Sequence, residues 1–184
     1  MFIKIDDDLA LGLAHNADAD EIYSLIDSNR HHLRSYLDWV DKTDSVEDTK
    51  ESQKRHAKKM KQHKIPACSI YYEGKICGMV DLQEMDPNIK KISLGYWLAK
   101  NYSGLGIITR ATIKMIDYAF DTLKANYIVI KVAKSNHKSR AVAERLNFHL
   151  DGTLPDDAKV NGSYVDRCYY GMHSNEWLNK RPNI

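Results

Sequence analysis

Cysteine is scarce in this 184-residue sequence, and Cys68, Cys77 and Cys168 are scattered without CxxC or Cys/His ligand spacing. An odd, dispersed set suits reduced thiols and argues against a disulfide framework or a metal site. An excess of one charge is also lacking, since 27 Lys+Arg face 25 Asp+Glu and leave a formal +2. A general polyanion binder needs many uncompensated cations, so a whole-surface role on DNA or other nucleic acid is disfavoured. No apolar run approaches the ~18 residues of a membrane-spanning helix. The first eight residues turn acidic at Asp6-Asp7-Asp8, where a signal peptide would hold its apolar core, which points to a cytoplasmic protein without membrane association. Four prolines and nine glycines are dispersed rather than gathered into a linker, and no repeat is visible. The expectation is one domain over residues 1–184.

What is present is a succession of helical and strand periodicities. The first 64 residues read as mainly helical: Asp18 caps a helix with Ile22, Leu25 and Ile26 on its apolar face, and Leu33, Tyr36, Leu37 and Val40 recur at helical spacing. Ser45 and Asp48 form a capping arrangement that opens a polar helix to about Lys64. Strands follow from Ala67 to Tyr72, Ile76 to Leu82 and Ile92 to Ala99, with turns at Glu73-Gly74 and Asp86-Pro87-Asn88. After a glycine-bearing loop, Ile108, Thr112, Met115, Ile116, Ala119 and Phe120 mark a helix. Tyr127 to Ala133 reads as a buried strand and His137 to Leu146 as a short helix. Phe148 to Leu154 and Ser163 to Met172 close the chain as strands, joined by a loop containing Pro155, Asp156, Asp157, Asn161 and Gly162. The order, helices first and then a meander with βαβα and two strands, implies an α+β fold on a mixed sheet.

Two segments carry chemistry. Asn101-Tyr102-Ser103-Gly104-Leu105-Gly106 lies between a strand and a helix, where glycines let backbone N–H groups converge and the helix N-terminus adds unsatisfied donors. Such a loop holds phosphate through the main chain. It lacks the Gly-Lys-Ser/Thr of a Walker loop and the third glycine of the dinucleotide fingerprint, and by itself it is also a common tight turn. The second segment is Asn136-His137-Lys138-Ser139, at the end of the Tyr127 strand, where Asn136 can cap the next helix and Ser139 sits in its first turn. Both would face the carboxyl ends of neighbouring strands.

Here the sequence resembles a known family, the GCN5-related N-acetyltransferases (GNAT), and within it the ribosomal-protein serine/alanine N-acetyltransferase branch, over essentially the whole chain. Gly104 and Gly106 match the acetyl-CoA motif R/Q-x-x-G-x-G/A, with Asn101 at the Arg/Gln position; Asn136, Ser139, Ala143 and Asn147-Phe148 match N-x-x-S…A…G-F, with Asn147 replacing glycine. The resemblance implies a GNAT fold: a central, twisted, mostly antiparallel sheet with flanking helices and a splayed strand pair forming the acetyl-CoA cleft. It implies direct acetyl transfer from acetyl-CoA to an amine. Trp97, Leu98 and Ala99 would orient the pantetheine and the thioester carbonyl, and Ser103, Gly104, Leu105, Gly106, Ile107, Ile108 and Thr109 would cradle the phosphates. Asn136 would hold the pantetheine arm, and Ser139 would stabilise or protonate the leaving thiolate. The branch often takes its base from a glutamate between the last two strands; that position falls near Ala158, leaving Asp157 and Glu84 as candidates. His32, Tyr36 and Trp39, with His31, would line the acceptor pocket.

The favoured acceptor by resemblance is a protein N-terminal α-amine, such as that of a ribosomal protein. A small amine or polyamine is the alternative within the same chemistry. The missing glutamate leaves open a non-catalytic acyl-CoA-binding module, and a nucleotide-binding regulator is more distant. The stretch Lys50 to Lys64, with seven Lys/Arg, reads as a solvated helix face or a contact for RNA or an acidic substrate. Tyrosines in the closing strands would suit a homodimer contact, and Cys168 reads as a small core residue.

Overall fold

The computed structural model describes residues 2–181. The chain begins with two strands, not with helices. β1 (Phe2–Lys4) and β2 (Leu9–Leu13) pair antiparallel around a turn in which the Asp6 carboxylate accepts from the backbone N–H of Leu9 at 2.9 Å. Leu9, Leu11 and Leu13 point inward from β2 and are buried. Their period of two is the strand signal, diluted by Ala10 and Gly12, which have little strand preference.

The helices that follow obey their local caps. In α1 (Ala19–Ser28) the Asp18 carboxylate accepts from the N–H groups of Asp20 and Glu21, and in α3 (Val46–His63) Ser45 and Asp48 form a reciprocal capping box. The stripe from Leu33 to Val40 does not form one helix. α2 (Arg30–Leu33) stops after one turn, and the Arg30 guanidinium donates to the carbonyls of Val40 and Thr43 at 2.6 and 2.8 Å, pinning the chain in a folded-back loop.

β3 (Ala67–Tyr72) and β4 (Lys75–Asp86) make a hairpin whose turn residues, Glu73 and Gly74, both take positive φ. β5 (Lys91–Leu98), α4 (Ile107–Asp117), β6 (Tyr127–Ala133) and α5 (His137–Arg145) follow within a residue or two of expectation. The segment read as a loop after Leu154 is mostly strand: β7 (His149–Val160) continues through a bulge that absorbs Pro155, Asp156 and Asp157, and only Asn161-Gly162 turns into β8 (Ser163–His173). A last helix, α6 (Ser174–Lys180), was not signalled by periodicity; Trp177 anchors it through a 2.9 Å bond from its indole N–H to Asp117.

Among the described residues one eight-stranded sheet runs in the order β1-β2-β3-β4-β5-β6-β8-β7, and only β5 and β6 are parallel. This is the mixed, mostly antiparallel sheet expected. Its larger apolar cluster joins one face to α4 and α5 through residues such as Ile70, Ile92, Ile116, Ile128, Ile130 and Ala143. A smaller one, Ile22, Ile26, Leu33, Val40, Ile76 and Trp97, packs α1 and α2 on the opposite face.

The parallel pair determines where function can sit. β5 and β6 are paired from Lys91 opposite Tyr127 to Ser93 opposite Val129 and no further. Beyond that point β5 stays with β4 as far as Leu98 opposite Gly78, while β6 stays with β8 as far as Ala133 opposite Arg167. The two carboxyl ends therefore splay apart and leave a wedge in mid-sheet. Gly78 permits the tight crossing on the β4 side, since a Cβ there would lie 2.3 Å from the Trp97 carbonyl oxygen.

Candidate active site

The wedge is bounded on one side by the loop between β5 and α4. Gly104 and Gly106 adopt φ of +90° and +70°, and a Cβ at either would meet nothing within 4 Å. The glycines serve backbone conformation rather than clearance, since only the left-handed region turns the chain so sharply into α4. Gly106 is the N-cap residue and no side chain caps the helix; the first intrahelical bond runs from Arg110 N–H to the Gly106 carbonyl. The amides of the first turn are thus donors in search of an acceptor, at the positive end of an 11-residue helix. Arg110 itself is engaged, pairing with Asp6 and Asp8. Arg145 reaches across from α5 to the Thr109 hydroxyl at 3.1 Å.

On the other side stands the start of α5. The Asn136 side-chain oxygen accepts from Ser139 N–H at 3.1 Å, so the carbonyl half of the amide is used as a cap and the NH2 half makes no hydrogen bond among the described residues. Ser139 Oγ donates to Tyr96 Oη at 3.1 Å, and Tyr96 Oη donates to the Ser139 carbonyl at 3.0 Å. This hydroxyl pair bridges the wedge from β5 to α5. Burial pushes the Tyr96 phenol up to about 12, so it keeps its proton. Tyr96 belongs to the site, yet nothing in its spacing marks it, because it is an ordinary aromatic within an apolar strand.

A cavity of about 710 Å³ fills the wedge. Trp97, Leu98, Ser103, Gly104, Gly106, Ile107, Ile108, Thr109, Asn136 and Ser139 all line it, and so do His32 and Tyr36 from the α2 side. Other expected residues lie elsewhere. Ala99 is buried and its N–H is spent on the Cys77 carbonyl at 2.9 Å, so it has no donor left for a carbonyl in the wedge. Leu105 points outward, half exposed. Trp39 packs its ring 6.0 Å from that of Trp97 within the smaller apolar cluster and does not line the cavity.

Neither candidate base is placed to act there. Asp157 lies on β7, where its carboxylate accepts from Tyr169 Oη at 2.6 Å and from Arg167 Nε; these partners hold it below the usual carboxylate range. Glu84 is an exposed carboxylate on β4 that pairs with Lys131 at 3.6 Å. Among the described residues, no Asp or Glu lines the cavity. The imidazole that lines it is that of His32, which burial pulls below its usual value; nearby Lys138 and Lys100 act in the same direction, against a hydrogen bond to the Leu98 backbone. The ring is therefore neutral at pH 7.

The three thiols are buried, and burial pushes Cys68 and Cys77 up to about 12, which makes them poor nucleophiles. The described residues contain no group of three His, Cys, Asp or Glu side chains that could hold a metal, and no helix among them is long and apolar enough to cross a membrane. The arrangement can hold phosphate at the α4 N-terminus, lay an extended amide-bearing chain between the splayed strands, and present a hydroxyl pair at its end.

Comparison with known proteins agrees with this geometry. The profile of the acetyltransferase (GNAT) domain matches residues 8–149. The chain is 34% identical over 179 residues to the putative ribosomal N-acetyltransferase YdaF of Bacillus subtilis (strain 168), covering 95% of this chain and 96% of that protein. It is 27% identical to the ribosomal-protein-serine acetyltransferase of Escherichia coli (strain K12), over 91% of this chain and 94% of the other. Among solved structures, the microcin C7 self-immunity acetyltransferase MccE in complex with acetyl-CoA and AMP superposes with a TM-score of 0.87 at 30% identity, over 93% of this chain and 95% of that one.

Proposed function

Because the chain belongs to the GNAT acetyltransferase family and is an acetyl-CoA-dependent N-acetyltransferase, we propose that its acceptor is a protein N-terminal α-amine of the ribosomal-protein type. The observation that carries the choice is that no carboxylate lines the cavity among the described residues. An α-amine with pKa of ~7.7 to 8.0 is about a tenth neutral at pH 7, whereas a lysine near ~10.4 is almost wholly protonated and depends on a strong base. A site lined by an uncharged His32 rather than a carboxylate suits the α-amine. The names of the relatives, two of them ribosomal acetyltransferases, support the same class. A ribosomal-protein acceptor also places the enzyme in the cytoplasm.

The residues present fit acetyl-CoA, which supplies the acetyl group as a thioester. The unpaired amides at the start of α4, with Gly104 and Gly106, would take its phosphates. The Asn136 NH2 group would donate to the pantetheine arm. Holding amine and thioester together is the main contribution, since well-oriented pairs reach effective molarities of about 10⁵ M or more. His32 accepts the proton that the amine loses, directly or through water.

Ser139 Oγ faces the departing sulfur by turning its O–H away from Tyr96; Tyr96 Oη can then donate to Ser139 Oγ in place of the carbonyl, so the serine hydrogen is released without leaving an unpaired oxygen. This is hydrogen-bond stabilisation of a thiolate by a buried hydroxyl pair.

The test is an acetylation panel read by thiol release and mass spectrometry: peptides with a free α-amine, N-blocked peptides carrying lysine, and spermidine. Transfer to free α-amines with little to the other two is expected. Acetylation of lysine side chains or spermidine in preference to free N-termini would overturn the reading.

A further inference from the structure

A second cavity, of about 670 Å³, adjoins the first and shares His32, Tyr36, Asn136 and Lys138 with it. Its character is different. Lys100, Lys138, His31, His32 and His137 converge on it from three parts of the chain: the turn after β5, the start of α5, and α2. None of its described lining residues is an Asp or Glu. The Lys100 and Lys138 ammonium groups make no ion pair or hydrogen bond among the described residues. Lysines elsewhere in the molecule, such as Lys4, Lys42, Lys50, Lys131 and Lys134, each face a carboxylate, whereas these two stand together with three histidines around one cavity.

The position of Lys100 is built in, because its backbone N–H donates to the Asn29 side-chain oxygen at 2.9 Å, tying the end of β5 to the junction of α1 and α2. The α5 N-terminus adds its positive pole. Both ammonium groups stand close enough to His32 to disfavour its protonation. Like charges brought together without counterions repel, and an anionic ligand removes that cost.

We propose that this second cavity receives the acceptor chain beyond its amine and selects peptides with Asp or Glu immediately after the N-terminal residue. The inference rests on the α-amine reading above and adds the charge of the acceptor. The shared wall explains how both can be served: the amine lies at His32 and Tyr36, where the cavities meet, and the following residues extend toward Lys100 and His137. A polycation such as spermidine would meet repulsion along the same path.

The experiment compares three N-terminal peptides of one length, identical except for positions 2 and 3, which are Asp-Glu, Asn-Gln or Lys-Lys. Each is assayed for acetyl transfer and, separately, for binding to the CoA-loaded protein by fluorescence anisotropy, at low and at 0.5 M salt. The acidic peptide is expected to exceed its amide counterpart by about tenfold in kcat/KM and in affinity at low salt, with the advantage reduced at high salt. Lys100→Gln and Lys138→Gln should each shrink that preference, raising the KM for the acidic peptide more than the KM for acetyl-CoA.

Equal use of the acidic and amide peptides, with transfer observed, overturns this proposal and leaves the α-amine reading standing. Salt-sensitive binding of the acidic peptide without transfer to any of the three supports the anionic subsite and overturns the α-amine reading. Failure of all three peptides to bind or react overturns both. A rise mainly in the acetyl-CoA KM in the two lysine variants assigns the ammonium groups to the cofactor's phosphates and overturns the proposal.

Discussion

Replacing both loop glycines separates conformational strain from charge. At Gly104 and Gly106 an added Cβ touches nothing within 4 Å, so alanine costs only the left-handed backbone. That penalty is roughly 1 kcal/mol per site, or about 2 kcal/mol for the pair, against a typical stability of about 5–15 kcal/mol. The Gly104→Ala, Gly106→Ala protein should fold, with Tm lowered by about 4–8 °C. Aspartate at both sites pays a similar strain and also places two carboxylates beside the α4 amides. At about 6 Å and an effective dielectric of about 40, each carboxylate opposes one phosphate charge by about 1.4 kcal/mol, so the pair weakens acetyl-CoA binding roughly a hundredfold relative to the alanine protein. Calorimetric titration of acetyl-CoA into wild type and both double variants, beside urea unfolding, measures the two components. Equal affinity in the alanine and aspartate proteins would refute the placement of the phosphates at this loop.

Ser139→Ala should lower kcat more than it raises the KM for acetyl-CoA, and Asn136→Ala should do the reverse; equal effects on both parameters in steady-state assays would show the roles to be wrongly divided. Tyr96→Phe removes the hydroxyl that both holds and is held by Ser139, so kcat should fall about tenfold with little change in either KM; an unchanged kcat would mean that Ser139 acts without it. His56, on α3, is held down to about 4 by burial and by Lys59, Arg55 and His15. Because its folded pKa is depressed, the neutral ring contributes stability above the unfolded value near ~6.5, which is lost as pH falls toward 4. Between pH 7.5 and 4.5 wild type should lose about 2–3 kcal/mol relative to His56→Gln in urea unfolding; a pH-independent difference would exclude the histidine as the source.

The parts of the fold that were legible are those set by neighbours in the chain. Asp18, Ser45 with Asp48, and Asn136 cap the helices they precede because an Asx or Ser oxygen reaches an amide two or three residues on, wherever the helix later packs. The parts that were not legible are set by distant partners. β2 is a strand because Leu11 finds Ile70 in β3 across its ladder, and five residues of leucine, alanine and glycine cannot announce that pairing. The Leu33 to Val40 stripe has helical spacing, yet Arg30 binds the carbonyls at its end and the chain folds back. Pro155, Asp156 and Asp157 carry turn chemistry in any local reading, and β7 nonetheless continues, because the register shift between Leu154 and Ala158 gives the three residues a bulge to occupy.

The same distinction governs the site. The glycine loop Asn101 to Gly106 and the Asn136 to Ser139 turn are local devices, so residue type and spacing reveal them. Whether a carboxylate can act as a base depends on which groups oppose it, and those lie far along the chain. Asp157 is taken by Arg167 and Tyr169, which hold it as an anion, and Glu84 pairs with Lys131; both carboxylates lie away from the cavity. Lys100 and Lys138 show the converse, since among the described residues they line the second cavity with no carboxylate beside them, where we propose that the acceptor chain lies. Under the proposed α-amine reading, proton removal would rest on an amine that is already partly neutral and on a histidine kept uncharged by burial and by Lys138 and Lys100. The acceptor's own pKa would then become part of the enzyme's specificity: an amine two pKa units more basic has about a hundredth of the neutral fraction, and no carboxylate among the described residues lines the cavity to compensate.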